Sequence, residues 1–564
     1  MEEKEAREKA TISDGMEPFW TGWKMNAKAY MLMGFVFFTA HIIVTFVISY
    51  VFNRHIYGLV FSYLFSSVVN MQVPDVDRVF LISKVVFLKS VGFSLLLLPL
   101  TIFVILKVKA HFEKKGIEEL TDEFKRGASL ILAEDLNEKI RQSGEKTSIP
   151  IGPVMMPVSA EVMHSFVIGG PGSGKTTFFN QLIETLHKRG EKRVIIYAFK
   201  GDSVEKFYDS ETDILFNPID SRSVRWTVSN EILAITDIDA IAASLIPPAM
   251  QAEPFWNDGA RDVFSGLLHY LWQNNMKTNA DIWSAVSAPA TQIRDWLQNT
   301  KGGERGLRYV EDASSKQAMS ILSVMMQYTK SFEYMAGIDG DFCISDWISK
   351  EPEKRQWIFI TNYSEIEATL KPILSLFIDL LGRKLLSLPD NLNRRIFFIL
   401  DEFGTLQRLS TITRLKTLAR SKGGVIFDAI QDIGQLDKIY GEPTRQTLIS
   451  ASSTSLIFRV SDPVAGEYIS RKLGDTEVEE KRKSATYGPE DSRDSVQVQK
   501  QLKDRRLVMA SEIMNLKDLE CYLKLPNYPV TKIKLDWKGY PNRNDPFIMR
   551  EDMKLVKTEP EKNG

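Results

Sequence analysis

The sequence predicts an α/β protein built on a parallel sheet, with an inserted all-α segment and an N-terminal anchor of two transmembrane helices. Three observations predict it. Residues 169–176 read GGPGSGKT, directly after the β-rich run HSFVI at 164–168 and directly before a helical stretch that begins at Thr177. Residues 395–402 read RIFFILDE, an apolar run closed by two carboxylates. Residues 30–52 contain no charged side chain, and a second apolar run covers 85–106.

The two N-terminal runs are taken first. At 1.5 Å rise per residue each is long enough to cross a hydrocarbon core of about 30 Å. Lys89 lies near one end of the second run, where it can snorkel, and Pro99 lies inside it. Such a proline is tolerated where neighbours satisfy the freed carbonyl. Lys4, Arg7, Lys9, Lys24 and Lys28 precede the first run, and Lys107, Lys109, Lys114, Lys115, Lys125 and Arg126 follow the second. The positive-inside rule therefore expects cytoplasmic N- and C-termini and a short outside loop over 53–84. About thirty mixed-charge residues ahead of the first run argue against a cleaved signal peptide. Residues 1–110 are read as the anchor and 111–150 as a charged, helix-like linker.

The 564 residues carry 44% hydrophobic and 25% charged side chains with a formal net charge of −1, the balance of a folded, multi-domain protein. No global basicity announces a nucleic-acid binder, so any such contact must be local or lie in a pore. Cys343 and Cys521 are far apart and each sits in an apolar setting, which predicts buried reduced thiols. The six histidines show no ligand spacing, so no zinc site is predicted.

Residues 169–176 match G-x-x-x-x-G-K-[ST] in full, between a strand and a helix, where backbone N–H groups and a helix N-terminus close around phosphates. Gly169, Gly172, Ser173, Gly174, Lys175, Thr176 and Thr177 are the candidate nucleotide contacts. Lys175 is expected at the β- and γ-phosphates of ATP and the Thr176 hydroxyl on Mg²⁺. Asp401, at the end of the second buried strand, is expected in the Mg²⁺ shell, and Glu402 is expected to polarise the attacking water. Further strands are predicted at 193–199, 357–362, 424–430 and 455–460, alternating with helices as in βαβ units. Gln431 ends one of these strands, where its side chain could sense the γ-phosphate. By residue pattern alone Arg420, on a helix with Arg414 and Lys416, reads as an ordinary solvated arginine.

With these residues in view, the chain resembles the TraD-type coupling proteins of conjugative type IV secretion, relatives of RecA-like and FtsK-like hexameric motors. The P-loop is joined in order by FKGD at 199–202, FNPID at 216–220, EPFWNDGAR at 253–261 and TLKP at 369–372. ILDEFGTL at 399–406, LARSKGG at 418–424 and DLECYLKLPNYP at 518–529 complete the set. The resemblance implies a RecA-like P-loop ATPase domain over 151–230 and 346–545. It also implies an all-α domain over 231–345, where Phe264, Leu267, Leu268 and Leu271 have helical spacing. It makes Arg420 an arginine finger acting on the neighbouring subunit's nucleotide and Gln431 a sensor, and so implies a homo-hexamer. Implied partners are single-stranded DNA, the relaxase, type IV secretion channel components and the inner membrane.

The resemblance thus predicts an ATP-dependent translocase coupling relaxase-bound single-stranded DNA to the channel. Two other readings are weighed against it: a nucleotide-switched docking receptor that pumps no DNA, and an FtsK-like DNA pump. Glu402 and Arg420 argue against a pure switch, because neither is needed merely to bind ATP. Arg414, Lys416 and Lys422 are candidate DNA contacts, against the plainer reading of solvated charges. Residues 476–506 are read as a mobile polar loop and 546–564 as a short flexible tail.

Overall fold

Strands made of unbroken apolar runs must be covered on both faces, and the sheet that carries the P-loop meets that demand. In the computed structural model residues 31, 34–70, 75–120, 123–249, 254–486 and 495–554 are described. Ten strands form one sheet: β1 (Leu130–Ile131), β2 (Ser165–Ile168), β3 (Val194–Tyr197), β4 (Ile214–Phe216), β5 (Ile358–Ile360), β6 (Ile396–Leu400), β7 (Gly424–Ile430), β8 (Thr454–Ile457), β9 (Glu520–Lys524) and β10 (Val530–Lys534). Their order is β1-β10-β9-β8-β2-β7-β6-β3-β5-β4. All neighbours are parallel except at β9, which runs antiparallel to β8 and to β10. In register, Phe427 of β7 stands beside Ser165 of β2 and Ile399 of β6, so the P-loop strand and the carboxylate strand flank one central strand.

The period-two alternation of a strand divides the core in two. Phe166, Ile195, Tyr197, Phe398 and Leu400 join one buried cluster, and Val167, Val194, Ile196, Phe397 and Ile399 join the other. The second face is covered by the helices Lys175–Lys188 and Ala133–Gln142 through Phe178, Leu182, Leu186, Leu136 and Ile140. The first face packs against the helices that intervene between β4 and β5 and against Glu367–Ser387. The ring of Phe377 stacks on Phe216 at 4.1 Å and meets Trp226 edge-on at 5.0 Å, fixing that long helix over β4. Glu231 ties the two ends of the helical insertion together. Its carboxylate is fully buried and accepts from Trp226 Nε1 (3.1 Å), Ile344 N (2.6 Å) and Ser345 Oγ (3.2 Å).

Three segments differ from expectation. Residues 123–150, read as linker, are folded: β1 pairs with β10, and Leu136 and Ile140, one helical turn apart, bury an apolar stripe within a charged sequence. Residues 476–506, read as a loop, contain the strands Asp475–Thr486 and Ser495–Arg506, which form a three-stranded sheet with Glu123–Gly127. The alternating SVQVQ at 495–499 was the available signal, masked by the surrounding charge. Residues 546–554, read as tail, are pinned: Arg550 Nη1 donates to Pro218 O (2.8 Å) and Tyr334 O (2.6 Å), and Phe547 stacks on Tyr363 at 4.6 Å. Residues 555–564 lie outside the described residues.

The chain divides into two units, Met1–Glu123 with Glu479–Leu502, and Phe124–Val478 with Lys503–Gly564. In the first, Gly34–Phe52 and Lys84–Val108 are helices long and apolar enough to cross a membrane. Their apolar side chains point outward, with Phe46 63% and Leu96 77% exposed, which is not how a buried core helix packs. His41 bridges the two through Thr101 Oγ1 (2.9 Å) and Ser94 Oγ (2.8 Å), and Ser49 meets Ser90 (2.5 Å). Polar bridges of this kind hold helices together where lipid offers no hydrogen bonds. The second span belongs to the helix Val76–Leu120, which contains Pro99 and runs past the anticipated end of the anchor. Between the spans, Arg54–Val69 is a helix rather than a loop, as suits an apolar stretch without a proline.

Candidate functional site

The P-loop leaves β2 at its carboxyl end, and glycine is required there for lack of room. A Cβ on Gly169 would stand 2.6 Å from both Phe458 Cβ and Ser173 Oγ, and Gly174 has φ +121°. Gly169 N donates to Ile430 O (3.3 Å) and Gly170 N to Arg459 O (2.7 Å), so the loop is hung from the ends of β7 and β8. Ser173 Oγ, fully buried, donates to Gly170 O (2.7 Å) and braces the turn. Its hydroxyl is thus committed to the loop itself. Lys175 opens the helix, and its Nζ donates to the carbonyls of Gly169 and Gly170.

Asp401 and Glu402 follow β6, and Gln431 follows β7, so all three arrive at the same carboxyl edge. Gln431 Nε2 donates to Glu402 Oε1 at 2.6 Å. A cleft of about 430 Å³ brings Gly170, Gly172, Gly174, Lys175, Thr176, Thr177, Asp401, Glu402 and Gln431 together. Five more residues share it: Pro171 of the P-loop itself, Lys200, Asp518, Leu519 and Trp537. The stretches 199–202 and 518–529 were visible only as parts of a resemblance, with no signal that placed them at the phosphates. Trp537 lies beyond both.

Arg420 does not join them. It sits in the turn Ala419–Lys422 ahead of β7, exposed, at the amino edge of the sheet. The seven residues of β7 separate it from Gln431, a span of roughly 20 Å at strand rise. His164, at the start of β2, senses Arg420. Burial, then Lys416 and Arg420, lower its pKa to about 3, so it stays neutral and accepts from Ile426 N through Nδ1 (3.2 Å). Of the basic residues considered for DNA, Lys416 is excluded: it is buried in an ion pair with Asp428 (2.6 Å). Lys422 pairs with Asp390 (2.7 Å), and Arg414 is exposed.

The cleft disfavours the charged form of Asp401 unless positive charge offsets it. Burial, reinforced by Glu402 and opposed by Lys175, pushes Asp401 up to about 7. Burial likewise lowers Lys175, with Asp401 and Glu402 pulling it back. A carboxylate this costly to ionise, beside a threonine hydroxyl and a glycine cradle open at Gly172, fits Mg²⁺ and nucleotide phosphates. Because the folded-state pKa lies above the unfolded value, this group destabilises the ligand-free fold increasingly as pH rises from about 4 to 7, with the full cost above 7. Asp401→Asn is therefore expected to raise the ligand-free melting temperature at pH 8 and to change it little at pH 4.5. An equal shift at both values would show that ionisation is not the cause.

The profile described as the type IV secretion-system coupling protein DNA-binding domain matches residues 148–536. The chain belongs to the type IV secretion-system coupling proteins. Among curated members of this family, the coupling protein TraD of Escherichia coli (strain K12) is 30% identical over 453 residues, covering 79% of this chain and 61% of TraD. The chain thus spans about three-fifths of that relative's length. Among solved structures, the unbound bacterial conjugative coupling protein TrwBdeltaN70 superposes with a TM-score of 0.67 at 28% identity, covering 76% of this chain and 97% of that one. The plasmid coupling protein TrwB in complex with ADP and Mg²⁺ gives 0.66 at 28%, with coverage of 76% and 97%. A coupling-protein fold with a RecA-like nucleotide-binding sheet and a helical domain accounts for the architecture described above.

Proposed function

We propose that this coupling protein is an ATP-driven motor of the inner membrane that passes relaxase-bound single-stranded DNA into a type IV secretion channel. The observation that carries the reading is the pairing of Gln431 with Glu402 across the cleft from the P-loop. Binding alone needs the phosphate cradle and a metal ligand. A hydrolytic site needs, in addition, a carboxylate held in place against a water.

Mg²⁺ when bound would neutralise phosphate charge, with Thr176 and Asp401 as its protein ligands. Lys175 holds phosphate oxygens, Glu402 orients the attacking water, and Gln431 fixes the Glu402 carboxylate and stands where it can feel the terminal phosphate. Arg420, exposed at the far edge of the sheet, is too distant to serve its own chain's cleft. It can serve a neighbour's, which supports a closed ring, read here as a homo-hexamer. The two apolar helices tether the ring, with both termini on the cytoplasmic side by the placement of Lys and Arg.

ATP hydrolysis by the full chain in detergent tests this, measured with and without single-stranded DNA over a range of protein concentrations. Turnover per subunit is expected to rise with DNA and with protein concentration, as sites form between subunits. Turnover independent of both would leave a receptor that uses nucleotide only as a switch.

A further inference from the structure

We propose that Leu519 and Trp537 form an apolar clamp that grips the base of the bound nucleotide, a reading that rests on the nucleotide site above. Both side chains line the P-loop cleft. Trp537 is 75% exposed, yet the chain on either side of it is fixed. Gln181 Nε2 donates to Asp536 O (2.6 Å), Lys538 Nζ pairs with Glu184 (2.5 Å), and Tyr540 OH donates to Glu184 (2.9 Å). Gln181 and Glu184 are on the helix that begins with Lys175, so one rigid element carries the phosphate cradle and anchors the tryptophan. With the backbone on both sides held to that helix, the indole is kept at the cleft with its faces in water, where a base can stack on it.

Leu519 supplies a second, independent observation. Its φ is +67°, a conformation that side chains other than glycine rarely adopt. It is held there by its own N–H donating to Ser173 O (2.9 Å) and by Leu535 N donating to its carbonyl (2.8 Å). Strain persists where surrounding contacts over-determine it, and such places cluster at ligand sites. The result sets Leu519 against the P-loop: a Cβ on Gly174 would lie 3.2 Å from Leu519 Cα and Cδ2. Apart from Pro171 in the P-loop, the remainder of the cleft lining is glycine or polar, with Lys175, Thr176, Asp401 and Glu402 as the candidate phosphate and metal contacts. That leaves the two large apolar side chains to the end a base occupies. Asp518, beside them, pairs with Arg459 (2.8 Å), and stacking on the face of a base does not depend on it.

Titration calorimetry of the full chain in detergent with ADP, GDP and inorganic tripolyphosphate tests the clamp. Trp537→Ala is expected to weaken ADP and GDP about tenfold each, to leave tripolyphosphate unchanged, and Trp537→Phe to recover most of the loss. Leu519→Ala is expected to show the same ADP-selective loss at smaller size. Unchanged ADP affinity in Trp537→Ala overturns the clamp, as does equal loss of ADP and tripolyphosphate. Lost self-assembly with unchanged ADP affinity also overturns it, assigning Trp537 to a subunit contact. Failure of the parental chain to bind any of the three ligands removes the nucleotide reading itself, and the clamp with it.

Discussion

Arg420→Ala is expected to lower ATP hydrolysis by roughly three orders of magnitude or more while leaving ADP affinity near its parental value. The size of the effect comes from chemistry: a guanidinium at the transferring phosphate stabilises charge that develops only in the transition state. Its selectivity comes from position. Arg420 stands at the amino edge of the sheet, across the length of β7 from its own cleft, so removing it does not disturb the residues that hold the nucleotide. The same geometry predicts complementation. Mixing Arg420→Ala chains with Lys175→Ala chains, each inactive alone, places intact Arg420 against intact Lys175 sites at about a quarter of the interfaces of a randomly mixed ring. Recovered hydrolysis in the mixture is the expected result. No recovery, or parental activity in Arg420→Ala by itself, would remove the trans finger.

Glu402→Gln is expected to reduce hydrolysis by roughly 10²- to 10⁴-fold with ADP binding retained. The substitution keeps an acceptor oxygen for Gln431 and the packing of the turn, so it removes little beyond the negative charge and the basicity. Here the useful readout is DNA transfer between cells, measured beside hydrolysis. Loss of both together supports a motor. Normal transfer with hydrolysis abolished would sink the motor reading and leave a docking receptor for which nucleotide is a conformational signal.

Much of the site was legible because its chemistry is local. Residues 169–176 carry strand, loop and helix in one run, and the carboxylates of Asp401 and Glu402 follow their strand directly. Four strands of the sheet were missed: β9 and β10, five residues each, and two that have no local pattern to read. β1 has two residues and β4 has three, too short for any periodicity to show, and each exists because a neighbouring strand supplies its hydrogen bonds. Lys416 illustrates the opposite error. A basic residue among others on a short helix reads as solvated, and only the approach of Asp428 from β7 shows it buried and paired.

The sequence by itself determined the phosphate cradle, the buried carboxylate strand, the two long apolar helices and, through the ordered set of motifs, the family. Each is written in consecutive residues, where backbone geometry and burial follow from composition. The tertiary structure decided which side chains share the cleft and which do not. It brought Gln431 onto Glu402, placed Leu519 and Trp537 at the mouth, and left Arg420 at the opposite edge. Those placements depend on strand order, and strand order is set by the packing of both faces of a ten-stranded sheet against residues far away in the chain.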